Sequence, residues 1–312
     1  MNLKAQTARA REGRVVSSHG RDALVEDATR RRIHCRLQGR RLSVVCGDNV
    51  RWIEADTEGA AGLITEVRPR RTELARMNLR GKAEVVAANL TQLVSVIAPL
   101  PAPDLGLCDR YLAAAEWAGL KACVVANKSD LPEARTLLGD ALDCYAAIGY
   151  PVAWASKRAP GGAEELALRL KDEISVLVGQ SGVGKSSLIN LLVPGVEATV
   201  QEISRAAETG KHTTSVASLY QLPSGGDLVD SPGVRDFAPP LPPPRGIASG
   251  FREIARAAAN CRFKDCMHLR EPGCAVAAAT DAGEIPARRI ASYRQLVNQA
   301  EELSRRDSQF RR

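Results

Sequence analysis

Hydrophobic and polar positions alternate over five short stretches: Gly13–Val16, Ala23–Glu26, Arg32–Leu37, Asn49–Ile53 and Ala61–Val67. Such period-two patterning puts one set of side chains on each face of a strand. Gly20, Gly39, Gly47, Asp48 and Gly59 fall between the runs, where turns form most easily. The pattern predicts a small antiparallel barrel, and five strands with a basic face fit an OB-like barrel, which commonly binds oligonucleotides.

From Leu93 the texture changes. Leu93–Ala98, Ala122–Ala126, Val152–Ala155 and Ile174–Val178 are short, predominantly apolar runs, and Leu105, Cys108, Leu112 and Ala115 recur at helical spacing after the first. Buried strands alternating with helices predict an α/β region with a parallel sheet, completed by strands at 216–222 and 227–230. The proline run Pro239–Pro244 excludes regular structure and reads as a semi-rigid spacer. Helices are expected at 251–259 and 287–305, and there is no internal repeat. The expected divisions are a barrel at 1–70, an α/β nucleotide domain at 71–238 and a helical metal-binding domain at 239–312.

The net charge of +7 sharpens this reading through its distribution. Residues 1–41 hold eleven Lys or Arg, among them Arg30, Arg31, Arg32, Arg36, Arg40 and Arg41, against four acids. A polyanionic partner such as RNA is one explanation and a solvated surface the other. Met1–Gln6 lacks the apolar stretch of a secretory leader, and no uncharged run approaches the length of a membrane span. A cytoplasmic protein with reduced thiols, no membrane partner and no dimer seam, hence a monomer, is expected. Cys35, Cys46, Cys108, Cys123 and Cys144 then read as small buried hydrophobes.

The chemistry concentrates in four strings. Gly179-Gln180-Ser181-Gly182-Val183-Gly184-Lys185-Ser186 follows an apolar strand and precedes the helix beginning at Ser187, as a phosphate-binding loop requires. Its glycines let backbone N–H groups wrap a phosphate, Lys185 neutralises the β- and γ-phosphates, and Ser186 ligates Mg²⁺. Asn127-Lys128-Ser129-Asp130 ends another strand, where a carboxylate can accept two N–H bonds from guanine that adenine does not offer. Ala155-Ser156-Lys157 ends the next strand, in the place of a second base-contacting loop. Downstream, Gly210-Lys211-His212-Thr213-Thr214 offers a Thr for Mg²⁺ and the γ-phosphate, and Asp230-Ser231-Pro232-Gly233 an Asp for the metal shell and a Gly amide. The base string precedes the phosphate string, the reverse of the ordinary GTPase order, so the motifs are circularly permuted. Finally, Cys261-x4-Cys266-x-His268-x5-Cys274 supplies three thiolates and one imidazole, a set suited to a closed, structural tetrahedral Zn²⁺.

This motif order, between a basic barrel and a cysteine cluster, closely resembles the circularly permuted, ribosome small-subunit-dependent GTPases of the RsgA/YjeQ family, from about Gly13 to the last helix. The resemblance implies a GTP hydrolase, weak alone and accelerated by the small ribosomal subunit, acting late in that subunit's maturation and touching its rRNA. By the same resemblance Asn127, Lys128 and Asp130 match the guanine motif and Gly179 through Ser187 the phosphate loop. Thr213 and Thr214 match the switch threonines, and Asp230 and Gly233 the switch glycine motif. Two departures stand out. Ala155-Ser156-Lys157 differs from the usual Ser-Ala form, and Val234 stands where many GTPases carry a water-orienting Gln. His212 is the nearest substitute for that Gln, or else an ordinary loop imidazole. An RNA-binding adaptor with a non-hydrolysing switch is the alternative function. A P-loop kinase or ATPase is disfavoured by Asn127–Asp130.

Overall fold

The computed structural model describes residues 10–57, 60–78, 81–195, 217–231 and 239–310. In chain order, five strands come first: β1 (Arg11–His19), β2 (Asp22–Asp27), β3 (Arg32–Leu37), β4 (Asn49–Thr57) and β5 (Ala60–Val67). A hairpin of β6 (Glu73–Met77) and β7 (Ala83–Ala88) follows. Strands and helices then alternate: β8 (Gln92–Ile97), α1 (Leu105–Trp117), β9 (Lys121–Ala126), α2 (Ala134–Ile148), β10 (Val152–Trp154), α3 (Glu164–Leu170), β11 (Ile174–Val178) and α4 (Lys185–Leu192). After β12 (Ser218–Gln221) and β13 (Asp227–Asp230) the chain ends in a 3₁₀ turn at Pro244–Gly250 and helices α5 (Arg252–Ala258), α6 (Ala275–Asp281) and α7 (Ala287–Phe310).

Two compact units result. The first comprises the described residues within Met1–Thr91, Ala167–Leu177 and Lys185–Phe237. Here β1, β2 and β3 form an antiparallel meander, β3 runs parallel to β5, β5 pairs with β4, and β4 returns to β1, so the barrel closes and leaves no edge within the cycle. The alternating apolar positions converge inside it as Val15, Val25, Ile33, Cys35, Val50, Trp52 and Ile64. Truncating the fully buried Trp52 would cost about 3–5 kcal/mol. Gly62 is obligatory beside it, because a Cβ would meet Cys35 Sγ at 2.6 Å and the Trp52 ring at 3.0 Å. In the same unit β1 pairs with β12 at Ser17 and Ser218, β12 with β13, and β13 runs parallel to β11. Arg14 of β1 reaches Asp227 of β13 at 2.7 Å and Glu26 at 3.5 Å.

The second unit comprises Gln92–Leu166, Val178–Gly184 and the described residues within Ala238–Arg312. Its strands β8, β9 and β10 are parallel in that order, with β8 buried at every position. Helix α1 starts at Asp104, whose side chain accepts a hydrogen bond from the Leu107 N–H at 2.8 Å, the usual way to satisfy an orphan donor at a helix start. Helix α2 stops at Gly149 in the left-handed conformation (φ +104°). The C-terminal helices bury Ile247, Phe251, Ile254, Val276, Ile290, Tyr293, Leu296 and Val297 together with Ala113 of α1.

Both the barrel and the alternating region form, with strand ends displaced by a few residues, but two pairings differ from expectation: β3 and β5 run parallel in a barrel expected to be antiparallel, and β12 joins β13 antiparallel in a sheet expected to be parallel. The hairpin of β6 and β7 was not expected, since Glu73–Ala88 lacks clean alternation. The proline run also differs from the expected semi-rigid spacer without regular structure. Pro239 is buried, Leu241 packs against the C-terminal core, and Pro244 opens a helical turn. Its fixed φ and missing N–H suit that first position. Cys35, Cys46, Cys108 and Cys123 are buried as expected, and Cys144 is half-buried.

Candidate nucleotide site and metal centre

Asn127, Lys128, Ser129 and Asp130 leave the C-terminal end of β9, the edge of a parallel sheet where ligand crevices form. Their side chains divide the work. Asn127 is buried and donates through Nδ2 to the Val183 carbonyl at 2.8 Å. Lys128 takes a left-handed backbone (φ +59°), and its Nζ donates to the carbonyls of Leu100 at 2.6 Å and Gly182 at 2.8 Å. Both residues thus tie the candidate base loop to the candidate phosphate loop. Asp130, the last residue of the string, is exposed.

Asp130 is itself seated. Ser156 Oγ donates to its Oδ1 at 2.5 Å, Arg158 lies 3.9 Å from its Oδ2, and the Ser129 N–H bonds the Ala155 carbonyl at 3.0 Å. The Ser156 hydrogen bond, helped by the backbone and the cations of Arg158 and Lys128, outweighs burial and holds the Asp130 carboxyl below its ordinary range. Ser156 is fully buried and Lys157 exposed. The loop at 155–157 therefore meets the loop at 127–130, with the Ser156 hydroxyl spent on Asp130.

In the candidate phosphate loop three glycines adopt backbone conformations that other residues rarely take. Gly179, Gly182 and Gly184 sit at φ +149°, +82° and +96°. A Cβ at Gly179 would meet the Val96 carbonyl oxygen at 2.2 Å, and one at Gly184 would meet Asn127 Nδ2 at 2.4 Å. Gln180 Oε1 lies 3.4 Å from the Asp104 N–H, at the start of α1. The chain then enters α4 with Lys185 buried and Ser186 and Ser187 in the first turn. Asp230 closes β13. His212, Thr213, Thr214 and Gly233 lie outside the described residues.

Cys261, Cys266, His268 and Cys274 converge, their ligand atoms all within 4.8 Å of one another. Cys261 Sγ and Cys274 Sγ are 3.9 Å apart, and they stand 3.5 and 3.6 Å from His268 Nδ1. A tetrahedral Zn²⁺ would separate sulfurs by about 3.8 Å and sulfur from nitrogen by about 3.5 Å, so the donor set fits the ion. Burial holds the His268 imidazole toward its neutral, ligating form. The loop is organised by Glu271, which sequence reading missed. Its carboxylate accepts the N–H groups of Met267, Leu269 and Arg270 at 2.7, 2.8 and 3.0 Å. Burial opposes its charge, yet those hydrogen bonds prevail and hold its carboxyl at about 2. Its place between His268 and Cys274 was the available signal.

On the barrel, Arg30, Arg32 and Arg36 pair with Glu26 or Asp22, and Arg30, Arg31, Arg36, Arg40 and Arg41 are all exposed. Among the described residues no helix is long and apolar enough to cross a membrane.

Comparison with known proteins gives concordant results. Residues 67–239 match the family model described as RsgA GTPase. A protein of Azotobacter vinelandii called small ribosomal subunit biogenesis GTPase RsgA is 44% identical over 265 residues, covering 84% of this chain and 77% of its own. One of the same name from Pseudomonas aeruginosa is 42% identical over 287 residues, covering 91% and 84%. The crystal structure of YjeQ from Thermotoga maritima superposes with a TM-score of 0.76 at 31% identity, covering 93% of this chain and 98% of that one. YloQ, a circularly permuted GTPase, gives 0.73 at 25% identity, covering 94% and 96%.

Proposed function

The chain belongs to the RsgA GTPase family, and we propose that it hydrolyses GTP to GDP and phosphate in contact with the small ribosomal subunit, during the late maturation of that subunit. The observation that carries the reading is the seated Asp130. Its carboxylate is held ionised by Ser156, on a loop locked to the phosphate loop through Asn127 and Lys128. An ionised acceptor fixed at the end of β9 suits the two donors on the guanine edge and leaves an adenine unpaired.

Within that reading Gly179 through Ser187 cradle the phosphates and Lys185 offsets their charge as the γ-phosphoryl departs. Ser186 and Thr213, with Asp230 behind them, would hold Mg²⁺, which supplies further charge neutralisation when bound. Thr214 and the Gly233 amide address the γ-phosphate, and His212 orients the attacking water in place of a Gln. Cys261, Cys266, His268 and Cys274 hold one structural Zn²⁺. The barrel at 1–70, through Arg31, Arg40 and Arg41, and the metal-binding segment at 239–312 flank the nucleotide domain at 71–238 and meet ribosomal RNA. The protein acts in the cytoplasm as a monomer.

The test is a competition of GTP against ATP, followed by turnover with and without purified small subunits. GTP alone should bind, and hydrolysis should rise by orders of magnitude with small but not large subunits. Equal competition by ATP, or turnover indifferent to the subunit, refutes the proposal.

A further inference from the structure

Asp109, in the middle of α1, is fully buried and takes no part in the chemistry proposed above. Its carboxylate accepts four hydrogen bonds. Tyr145 Oη of α2 donates to Oδ1 at 2.7 Å and Arg289 Nη1 of α7 to Oδ1 at 2.8 Å. Arg288 Nη1 donates to Oδ2 at 2.6 Å and Ser292 Oγ to Oδ2 at 2.6 Å. Arg289, also fully buried, turns its remaining edge to Glu253 of α5 at 2.6 and 3.2 Å and lies 4.6 Å from the Phe251 ring. Burial drives the Tyr145 phenol far above its ordinary value, so it remains a donor.

An ion-paired cluster is a costly way to glue helices, since well-packed apolar residues of similar volume often stabilise as well or better. What the cluster adds is a fixed seat, because four donors satisfy the carboxylate in only one arrangement of α1, α2 and α7. Those helices matter to the nucleotide site. The N-terminal end of α1 carries Asp104, whose N–H meets Gln180 of the phosphate loop, and Leu100 just before it receives Lys128. Helix α2 begins four residues after Asp130. Its C-terminal carbonyls at Ile148 and Gly149 are capped by Arg256 at 2.9 Å and Arg252 at 2.7 Å, both from α5. The two helices that flank β9, and hence both loops at its end, are thus held from the C-terminal segment.

We propose that Asp109 is a positioning residue for the guanine-nucleotide site, through which the C-terminal helices keep the base and phosphate loops in binding register. The inference rests on the nucleotide reading of Asp130 and the glycine loop given above. It makes nucleotide affinity a property that the metal-bearing segment sets from behind the site.

The experiment titrates the zinc-loaded, full-length protein with GDP and measures GTP turnover. Ser292→Ala and Arg288→Met each remove one donor from Asp109, Arg288→Lys keeps the charge, and Leu296→Ala opens the same C-terminal core without touching the cluster. Thermal melts define a temperature at which all four variants are folded. The first two should weaken GDP by about tenfold and raise KM more than they lower kcat, as loss of uniform binding does. Arg288→Lys should retain most of the affinity, and Leu296→Ala should lose stability but not affinity. Unchanged GDP binding in Ser292→Ala and Arg288→Met, or an equal loss in Leu296→Ala, overturns the proposal. Failure of the unmodified protein to bind GDP would instead refute the nucleotide reading on which it rests.

Discussion

Ser156 donates its hydroxyl hydrogen to Oδ1 of Asp130 at 2.5 Å, although twenty-six positions separate the two residues. On the proposed reading, the bond spends one of the carboxylate's acceptor sites on alignment and leaves the rest for the base. Asp130→Asn should therefore invert the recognition pattern. GTP affinity is expected to fall by on the order of a hundredfold, while xanthosine triphosphate binding improves. Equilibrium titration with both nucleotides checks this, and an unaltered preference for GTP would remove Asp130 from the base site.

The same bond predicts a pH effect. A carboxyl held below its ordinary range stays charged as pH falls through that range, and loses its charge only below it. GDP affinity should accordingly be flat on mild acidification and fall only beneath the usual aspartate range. In Ser156→Ala the largest cause of the shift is gone, so the acidic limb of the affinity profile should move upward. Superimposable profiles would show that Ser156 does not tune Asp130.

Gly184 and Gly119 separate strain from steric conflict. Both hold positive φ, but a Cβ at Gly184 would press on Asn127 Nδ2 at 2.4 Å, while one at Gly119 meets nothing within 4 Å. Each alanine should cost about 1–2 kcal/mol of backbone strain. Only Gly184→Ala should also abolish measurable GDP binding, since it displaces the residue that joins the two loops. Comparable GDP binding by both folded variants would contradict that link.

The cysteine cluster should hold one zinc per chain after purification without added metal. Chelation, or Cys261→Ser, should lower the melting temperature by on the order of 10 °C and expose the C-terminal helices first. Metal analysis and calorimetry decide the matter, and metal-free protein with an unchanged melt would reject the ion.

How much of this was legible beforehand follows the range of each interaction. The glycine loop, the Asn127–Asp130 string and the cysteine spacing are contiguous or nearly so, and their geometry is local: positive φ at glycines, a turn at a strand end, ligands on one loop. The barrel strands announce themselves through alternation, because one face of each is buried. For these elements the sequence alone determined residue identity, order and the permuted arrangement.

The remainder was decided by tertiary structure. Arg289 reads as one cation among several in a charged helix, and only folding buries it against Asp109, 180 positions away. Ser156 stands out in the sequence only as part of a candidate base-contacting loop, and parallel pairing of β10 with β9 is what sets its hydroxyl against Asp130. Arg252 and Arg256 become caps of α2 only when α5 packs beside it. No local periodicity encodes such pairings, since hydrogen-bond partners distant in sequence are selected by the packing of whole elements. The chain's chemistry was therefore written in its short motifs, while the alignment of that chemistry depended on long-range contacts that only the folded molecule makes.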